Sequence, residues 1–186
     1  MKFVQPIRNT RKLQQLKELL MDKNERDYVL LMVGINTGLR ISDILPLQVG
    51  DVRGLYIEII EKKTKKHKRI KINRALREVL DHYIRGKPDS AYLFSGRSKK
   101  HKSGLVNEPI SPSMAYKILN GAAQKLSIPE IGTHSLRKTF GYHFYQREKD
   151  IALLMELFNH SEESMTLRYL GIKQDTLDDA FDRFQL

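Results

Sequence analysis

Thr133-His134-Ser135-Leu136-Arg137 is the stretch on which the reading of this chain turns. Thr133 is a residue type that caps a helix, and the segment after it is expected to be helical. His134 and Arg137 then stand three residues apart, on one face of the first turn. Free amides and the macrodipole draw anions to a helix N-terminus, so a histidine and an arginine placed there make a phosphate clamp. Downstream lie Asn159-His160-Ser161 and Met165-Thr166-Leu167-Arg168-Tyr169-Leu170, with Tyr169 nine residues after His160. Upstream lies Thr37-Gly38-Leu39-Arg40-Ile41-Ser42-Asp43. There the glycine permits a left-handed turn and Arg40 opens a short helix. Asp43, three residues on, is expected to orient Arg40 through a charge-assisted bond. Lys63-Thr64 lies between these segments. Each segment by itself also fits a plain structural role: a surface pair, a half-buried tyrosine, a capping histidine, one lysine among many.

The surrounding pattern is mainly helical with one small antiparallel sheet, an α+β class. Asn9 or Thr10 is expected to cap a first helix with Leu13, Leu16 and Leu20 on one face. A second helix carries Tyr28, Leu31, Met32 and Ile35 and stops near Thr37-Gly38. Leu55–Ile60 alternates, with Leu55, Ile57 and Ile59 on one face, and Arg69–Ile72 reads as its return strand. Tyr92–Phe94 is a candidate third strand. Asn73 caps a helix bearing Leu76, Val79, Leu80 and Tyr83. Gly96–Pro109 reads as a loop, and Ser111-Pro112 as a helix start. Further helices are expected to begin near Thr133, Asp150 and Ser161. A final one over Gln174–Gln185 sets Leu177, Ala180, Phe181 and Phe184 in one stripe. With no internal repeat and no dividing linker, residues 1–186 read as one domain.

A net charge of +11 points to a polyanionic partner, and its distribution decides which. Seven of the eleven residues from Glu61 to Lys71 are Lys or Arg, at the tip of the expected hairpin. Such a cluster repels itself unless an anion is near, and a polyphosphate backbone supplies one. A second cluster, Arg97, Lys99, Lys100 and Lys102, lies in the Gly96–Pro109 segment. The candidate nucleic-acid contacts are therefore Lys62, Lys65, Lys66, Lys68, Arg69, Arg97, Lys99, Lys100 and Lys102. Asp175, Asp178, Asp179 and Asp182 turn the last helix away from such a partner. The chain has no cysteine, which removes disulfides, thiolate nucleophiles and Cys-rich zinc sites and fits a reducing cytoplasm. The longest apolar stretch, near Tyr28–Ile35, is too short to span a bilayer, and the first residues lack a signal-peptide core.

In this fixed order the four segments resemble the tyrosine recombinase, or phage integrase, family, over roughly residues 10–180. The family's first arginine lies in a Thr-Gly-Leu-Arg-x-Ser-Glu/Asp context, matched at Thr37–Asp43. Its hairpin lysine falls on Lys63, its His-x-Leu-Arg box on His134 to Arg137, and its Gly-His-Ser box on Asn159-His160-Ser161. Its nucleophile, in a Thr-x-x-Tyr context, falls on Tyr169. Three features depart from the pattern. Asn159 replaces the usual glycine, Lys71 stands where proline is frequent, and only a few residues precede the first helix. The N-terminal helical DNA-binding domain of most members is accordingly expected to be absent.

The resemblance implies a tyrosine recombinase catalytic-domain fold and site-specific cutting and rejoining of double-stranded DNA. It assigns Arg40, Lys63, His134, Arg137, His160 and Tyr169 as catalytic, with Asp43 in support. Tyr169 would form a 3′-phosphotyrosyl bond, Arg40 and Arg137 would hold the phosphate oxygens, and His160 would hydrogen-bond the phosphate. Lys63 would protonate the leaving oxygen, and His134 would exchange the nucleophile's proton. No cofactor and no metal is implied, since arginine and lysine supply the positive charge. It further implies a monomer that assembles as a homotetramer on DNA, with residues 174–186 exchanged between protomers. The setting would be cytoplasmic, at the nucleoid, on a phage or other mobile element. Three other readings stay open: type IB topoisomerase-like strand relaxation, a non-catalytic DNA-binding relative, and a basic helical RNA-binding domain. The last accounts for the charge but not for the ordered segments, and a decayed relative is expected to have lost one of the six residues.

Overall fold

Short polar side chains set most of the helix starts. The computed structural model describes residues 4–96, 99–101, 104–129, 131–172 and 181–184. In it Asn9 accepts from the Lys12 amide at 3.0 Å and opens α1 (Thr10–Lys23), as its sequence context predicts. Asn24 closes α1 and caps α2 (Glu25–Thr37). Asn73, Ser111 and Asp150 do the same for α4 (Arg74–Tyr83), α5 (Pro112–Lys125) and α7 (Ile151–Phe158). The cap of α6 (Thr133–Glu148) differs from expectation. Gly132 is its N-cap, Thr133 is already helical, and Ser135 Oγ accepts from the Gly132 amide at 3.1 Å. Arg40 precedes the four-residue α3 (Ile41–Ile44), and Glu162 precedes α8 (Glu163–Leu170).

The hairpin pairs β1 (Tyr56–Ile60) with β2 (His67–Lys71), antiparallel, with Ile57 opposite Ile70. Ile57 is buried and Ile59 half-buried, but Leu55 lies outside the strand at 70% exposure, so the inward stripe begins one alternation later than the sequence suggests. Tyr92–Phe94 does not extend this sheet. It touches the Leu47–Val49 segment instead, through Leu93 N to Leu47 O at 2.8 Å and Val49 N to Ala91 O at 2.9 Å. The Gly96–Pro109 segment, expected as a loop, contains a second antiparallel ribbon, β3 (Lys99–His101) with β4 (Gly104–Val106). Most of the expected Gln174–Gln185 helix, including Leu177 and Ala180, lies outside the described residues. Phe181 and Phe184 at its end are exposed.

Helix α2 is the axis of the fold. Val29, Leu30 and Val33 pack with the hairpin, α4 and the Leu93–Phe94 corner, while Leu31 packs with α1, α5 and α6. A third apolar cluster of Leu154, Phe158, Leu170 and Ile172 joins α7 and α8 to the aromatic face of α6. The N-terminal segment is tied onto α6 as well, through Ile7 N to Thr139 Oγ1 at 2.9 Å and His143 Nε2 to Ile7 O at 2.9 Å. Among the described residues no helix is long and apolar enough to cross a membrane.

Two glycines on helices give opposite expectations. A Cβ on Gly34 would stand 2.4 Å from Leu136 Cδ1, where α2 meets α6, whereas a Cβ on Gly121 would meet nothing within 4 Å. Gly34→Ala is expected to cost about 1–3 kcal/mol of stability through overpacking. Gly121→Ala is expected to add about 0.5–1 kcal/mol by restricting the unfolded chain. Urea titration of both variants checks the pair, and a Gly34→Ala midpoint equal to the parent's would show that α2 and α6 are free to separate.

Candidate active site

Arg40, Lys63, His134, Arg137, His160 and Tyr169, scattered over 130 positions of sequence, line one cavity of about 470 Å³. Each arrives by a local device. Gly38, left-handed at φ 63°, ends α2 and turns the chain so that Arg40 heads α3. Lys63 sits in the turn of the β1–β2 hairpin. His134 lies in the first turn of α6 and Arg137 at the start of the second, His134 open to solvent and Arg137 only 2% exposed. Asn159 ends α7 at φ 52°, so His160 leaves the helix and faces the pocket. Tyr169 enters from α8 of the same chain, beside Glu162, Ser164, Met165 and Arg168.

Arg137 is the most constrained of these groups. Nη1 donates to the Gly38 carbonyl at 2.5 Å, Nη2 to the Phe158 carbonyl at 3.1 Å, and Cζ lies 4.2 Å from the Phe158 ring centroid. Burial pulls its pKa down to about 10, so it keeps its charge at neutral pH. Phe158 also packs edge-on against His160 at 5.4 Å and Tyr169 at 5.7 Å, and His160 against Tyr169 at 5.6 Å. Sequence reasoning missed Phe158, which looks like an ordinary apolar helix residue until its neighbours are known. It also missed the function of Thr166, whose Oγ1 lies 2.9 Å from His160 Nδ1 and fixes the ring. The Thr-x-x-Tyr spacing thus serves the histidine as well as the tyrosine.

Arg40 has a partner other than the one expected. Its Nη1 lies 2.8 Å from Oε1 of Glu61, a fully buried carboxylate. The Asp43 carboxylate makes no hydrogen bond to the Arg40 guanidinium, although the Asp43 amide donates to the Arg40 carbonyl at 2.8 Å. Its Oδ1 accepts from the Lys62 amide at 2.9 Å, because one turn of α3 aims it at the end of β1. The predicted nucleic-acid contacts divide. Lys62, Lys65 and Lys66 are exposed at the hairpin tip. Arg69 is exposed and lies over the Tyr56 ring at 3.7 Å. Lys68 points inward instead, with an 11% exposed side chain, its Nζ on the Leu157 carbonyl and 3.6 Å from Glu61. Lys99 and Lys100 belong to β3, while Arg97 and Lys102 lie outside the described residues.

The pocket is strongly positive, with Arg40, Lys63, Arg137 and Arg168 in its lining. Partial desolvation, then the charges of Arg137, Arg40, Lys138 and Lys63, hold His134 below its ordinary pKa. Burial, then Arg137, Arg40, Lys63 and Lys68, does the same to His160. Burial raises the Tyr169 pKa, and the charges of Arg137 and Arg40 with the Arg137 hydrogen bond oppose that rise. The arrangement can bind a tetrahedral oxyanion between two guanidinium groups, with a tyrosine oxygen and an ammonium at hand. Among the described residues no group of three or more His, Cys, Asp or Glu is placed to hold a metal ion.

His134 and His160 are accordingly expected to titrate below about 6.5 in the free protein. The unfolded chain then takes up these protons first, so their contribution to stability is lost as pH falls from about 6.5 towards the folded values. Ring-resonance titration by NMR measures both, and a value at or above the ordinary one would refute the desolvated, cation-crowded pocket.

Comparison with known proteins places this geometry. Residues 10–175 match the model of the phage integrase family. The probable integrase/recombinase YoeC of Bacillus subtilis (strain 168) is 49% identical over 185 residues, covering 99% of this chain and 98% of that protein. A tyrosine recombinase of Pseudothermotoga lettingae is 31% identical over 92% of this chain, which spans 58% of its length. Among solved structures, the XerH site-specific recombinase bound to palindromic difH substrate, a post-cleavage complex, superimposes with a TM-score of 0.67 at 20% identity. That match covers 98% of this chain and 54% of XerH, so the shared part is the tyrosine recombinase catalytic-domain fold. By its family match and its likeness to these relatives, this chain belongs to the phage integrase family of tyrosine recombinases.

Proposed function

We propose that this chain cuts and rejoins DNA as a site-specific recombinase or integrase, through a covalent bond between Tyr169 and a DNA 3′-phosphate. The observation that carries this reading is the convergence of all six expected residues on one cavity, with the tyrosine supplied by the same chain. In the reaction the Tyr169 oxygen attacks phosphorus and loses its proton to His134. The bond to the 5′-oxygen breaks, and Lys63 gives that oxygen a proton. Arg40 and Arg137 stabilise the charge that grows on the non-bridging oxygens, and His160 adds a hydrogen bond. A 5′-hydroxyl of another strand then reverses the step. The phosphoester energy is kept in the phosphotyrosine, so no ATP is needed, and side-chain cations take the part that metals play in many nucleases.

Double-stranded DNA is the proposed partner, supported by the exposed charge at the hairpin tip and by the substrate-bound state of XerH. Assembly as a homotetramer on DNA, with the C-terminal residues exchanged between protomers, belongs to the same proposal. So do a monomeric free state, a place at the cytoplasmic nucleoid, and an origin on a phage or mobile element.

Nicked suicide duplexes, tiled across the DNA flanking the gene, test the chemistry. The protein is expected to give a covalent protein–DNA band on a denaturing gel, and Tyr169→Phe is expected to bind the same duplex without any band. A band from Tyr169→Phe would remove Tyr169 as the nucleophile, and supercoil relaxation without site preference would favour the topoisomerase-like reading. For the interface, alanine at Lys62, Lys65 and Lys66 is expected to flatten the log–log salt dependence of affinity by roughly 2–3 units. An unchanged slope would take the hairpin tip off the phosphate backbone.

A further inference from the structure

Glu61 is fully buried and reaches four separate parts of the pocket wall. Its Oε1 takes Nη1 of Arg40 at 2.8 Å and lies 3.6 Å from Lys68 Nζ. Its Oε2 takes the Thr64 hydroxyl at 2.6 Å and the Asn159 side-chain amide at 2.9 Å. Its backbone closes the turn that presents Lys63, through Glu61 N to Lys66 O at 3.0 Å and Lys65 N to Glu61 O at 2.9 Å. Lys68 in turn bonds the carbonyl of Leu157, two residues before Asn159. One carboxylate therefore touches the head of α3, the hairpin turn, β2 and the last turn of α7.

We propose that Glu61 is a positioning residue of this pocket, one buried carboxylate that holds Arg40, the Lys63 turn and the Asn159–His160 turn in fixed relation. The inference rests on the strand-cleaving role proposed above and says how its parts are kept in register. Glu61 touches no reacting atom in that scheme and acts through the groups it holds. Burial works against its charge, but the Thr64 bond and the charges of Lys68, Arg40 and Arg137 outweigh it and hold the carboxyl below its usual pKa. The carboxylate thus stays ionised and offers four lone-pair directions to its cations and amide. Asn159 gains a second purpose. A glycine there would keep the left-handed turn at φ 52° but would drop the bond to Glu61. Asn159 and Glu61 work as a pair.

The test is a double-mutant cycle on the rate of covalent complex formation, with saturating protein on a suicide duplex and DNA affinity measured separately. Glu61→Gln keeps the size and hydrogen-bonding reach while removing the charge. It is expected to lower the rate at saturation by about 10-fold or more while affinity stays within about 3-fold, the pattern of a lost transition-state arrangement. Asn159→Gly is expected to lower the rate by about 3–10-fold, and the double variant by less than the product of the two, as coupled residues do. A wild-type rate in Glu61→Gln, or strictly multiplicative losses, would overturn the assignment. Wild-type protein that forms no complex would count against strand cleavage and not against Glu61, for which NMR of the free protein decides. The His160 ring resonances are expected to move in Glu61→Gln while those of His143, bonded to the Ile7 carbonyl, stay in place. An unmoved His160 overturns the positioning role whatever the cleavage assay shows.

Discussion

A guanidinium taken out of water must recover its hydrogen bonds from the protein, and Arg137 recovers them from two helix ends. Gly38 follows the last residue of α2, and Phe158 is the last residue of α7. Carbonyls at helix C-termini lack intrahelical partners and carry the negative end of the dipole, so both suit a buried cation. For Arg137 to meet them together, α2 and α7 must end within one guanidinium's width of each other, with α6 between. Both helices end in a left-handed residue, Gly38 and Asn159, which turns the chain away while leaving the carbonyl in place. The remainder of the site depends on this. Arg40 follows the first turn by two residues, and His160 follows the second by one.

The side chains that line the pocket come from two apolar clusters rather than one. Arg40 and Lys63 stand on the elements that enclose Leu30, Ile57 and Leu76, whereas His160 and Tyr169 stand on the cluster of Leu154, Phe158 and Leu170. Helix α6 joins them, and its close contacts explain how. Besides the meeting of Gly34 with Leu136, Gly141 admits Leu170 and Phe158 so closely that a Cβ there would lie 2.7 Å from each. Side chains at these points would push α2 or α8 off α6 and move one set of reacting groups against the other. Small residues thus hold the distance between clusters, and polar bonds at Arg137 and Glu61 set the register.

Five of the six expected residues that line the pocket could be located from the sequence because each sits where a local signal marks a chain reversal, whereas Tyr169, inside α8, was found from its spacing to His160. Gly38, the hairpin tip, the start of α6 and the end of α7 are all punctuated by glycine, lysine-rich or cap-forming residues. What the sequence did not carry is which side chains those groups meet. Asp43, three residues from Arg40, was the natural partner by proximity, yet the pairing falls to Glu61 at a separation of 21 residues. That contact depends on how the hairpin folds back over α3, which no periodicity reports. Lys68 fails for the same reason. Within a run of seven basic residues nothing distinguishes it, but strand alternation turns it towards α7. The ribbon at β3 and β4 was hidden because its Gly and Lys residues favour loops and only backbone pairing makes them strands.

The direction of the pKa shifts bears on the order of events in the proposed reaction. A pocket crowded with cations disfavours protonated histidine, so His134 waits as a neutral imidazole able to accept a proton. Burial keeps the Tyr169 phenol protonated, so it needs that acceptor at the moment of attack. An incoming phosphate changes the balance by adding negative charge among Arg40, Lys63 and Arg137. That charge favours the imidazolium that forms as the phenol loses its proton, so the base grows stronger only when substrate is present. Until the phosphate enters, burial favours the neutral form of the nucleophile. Burial therefore restrains the nucleophile, while the cations keep the imidazole ready and bind the phosphate whose charge lets proton transfer and attack proceed together.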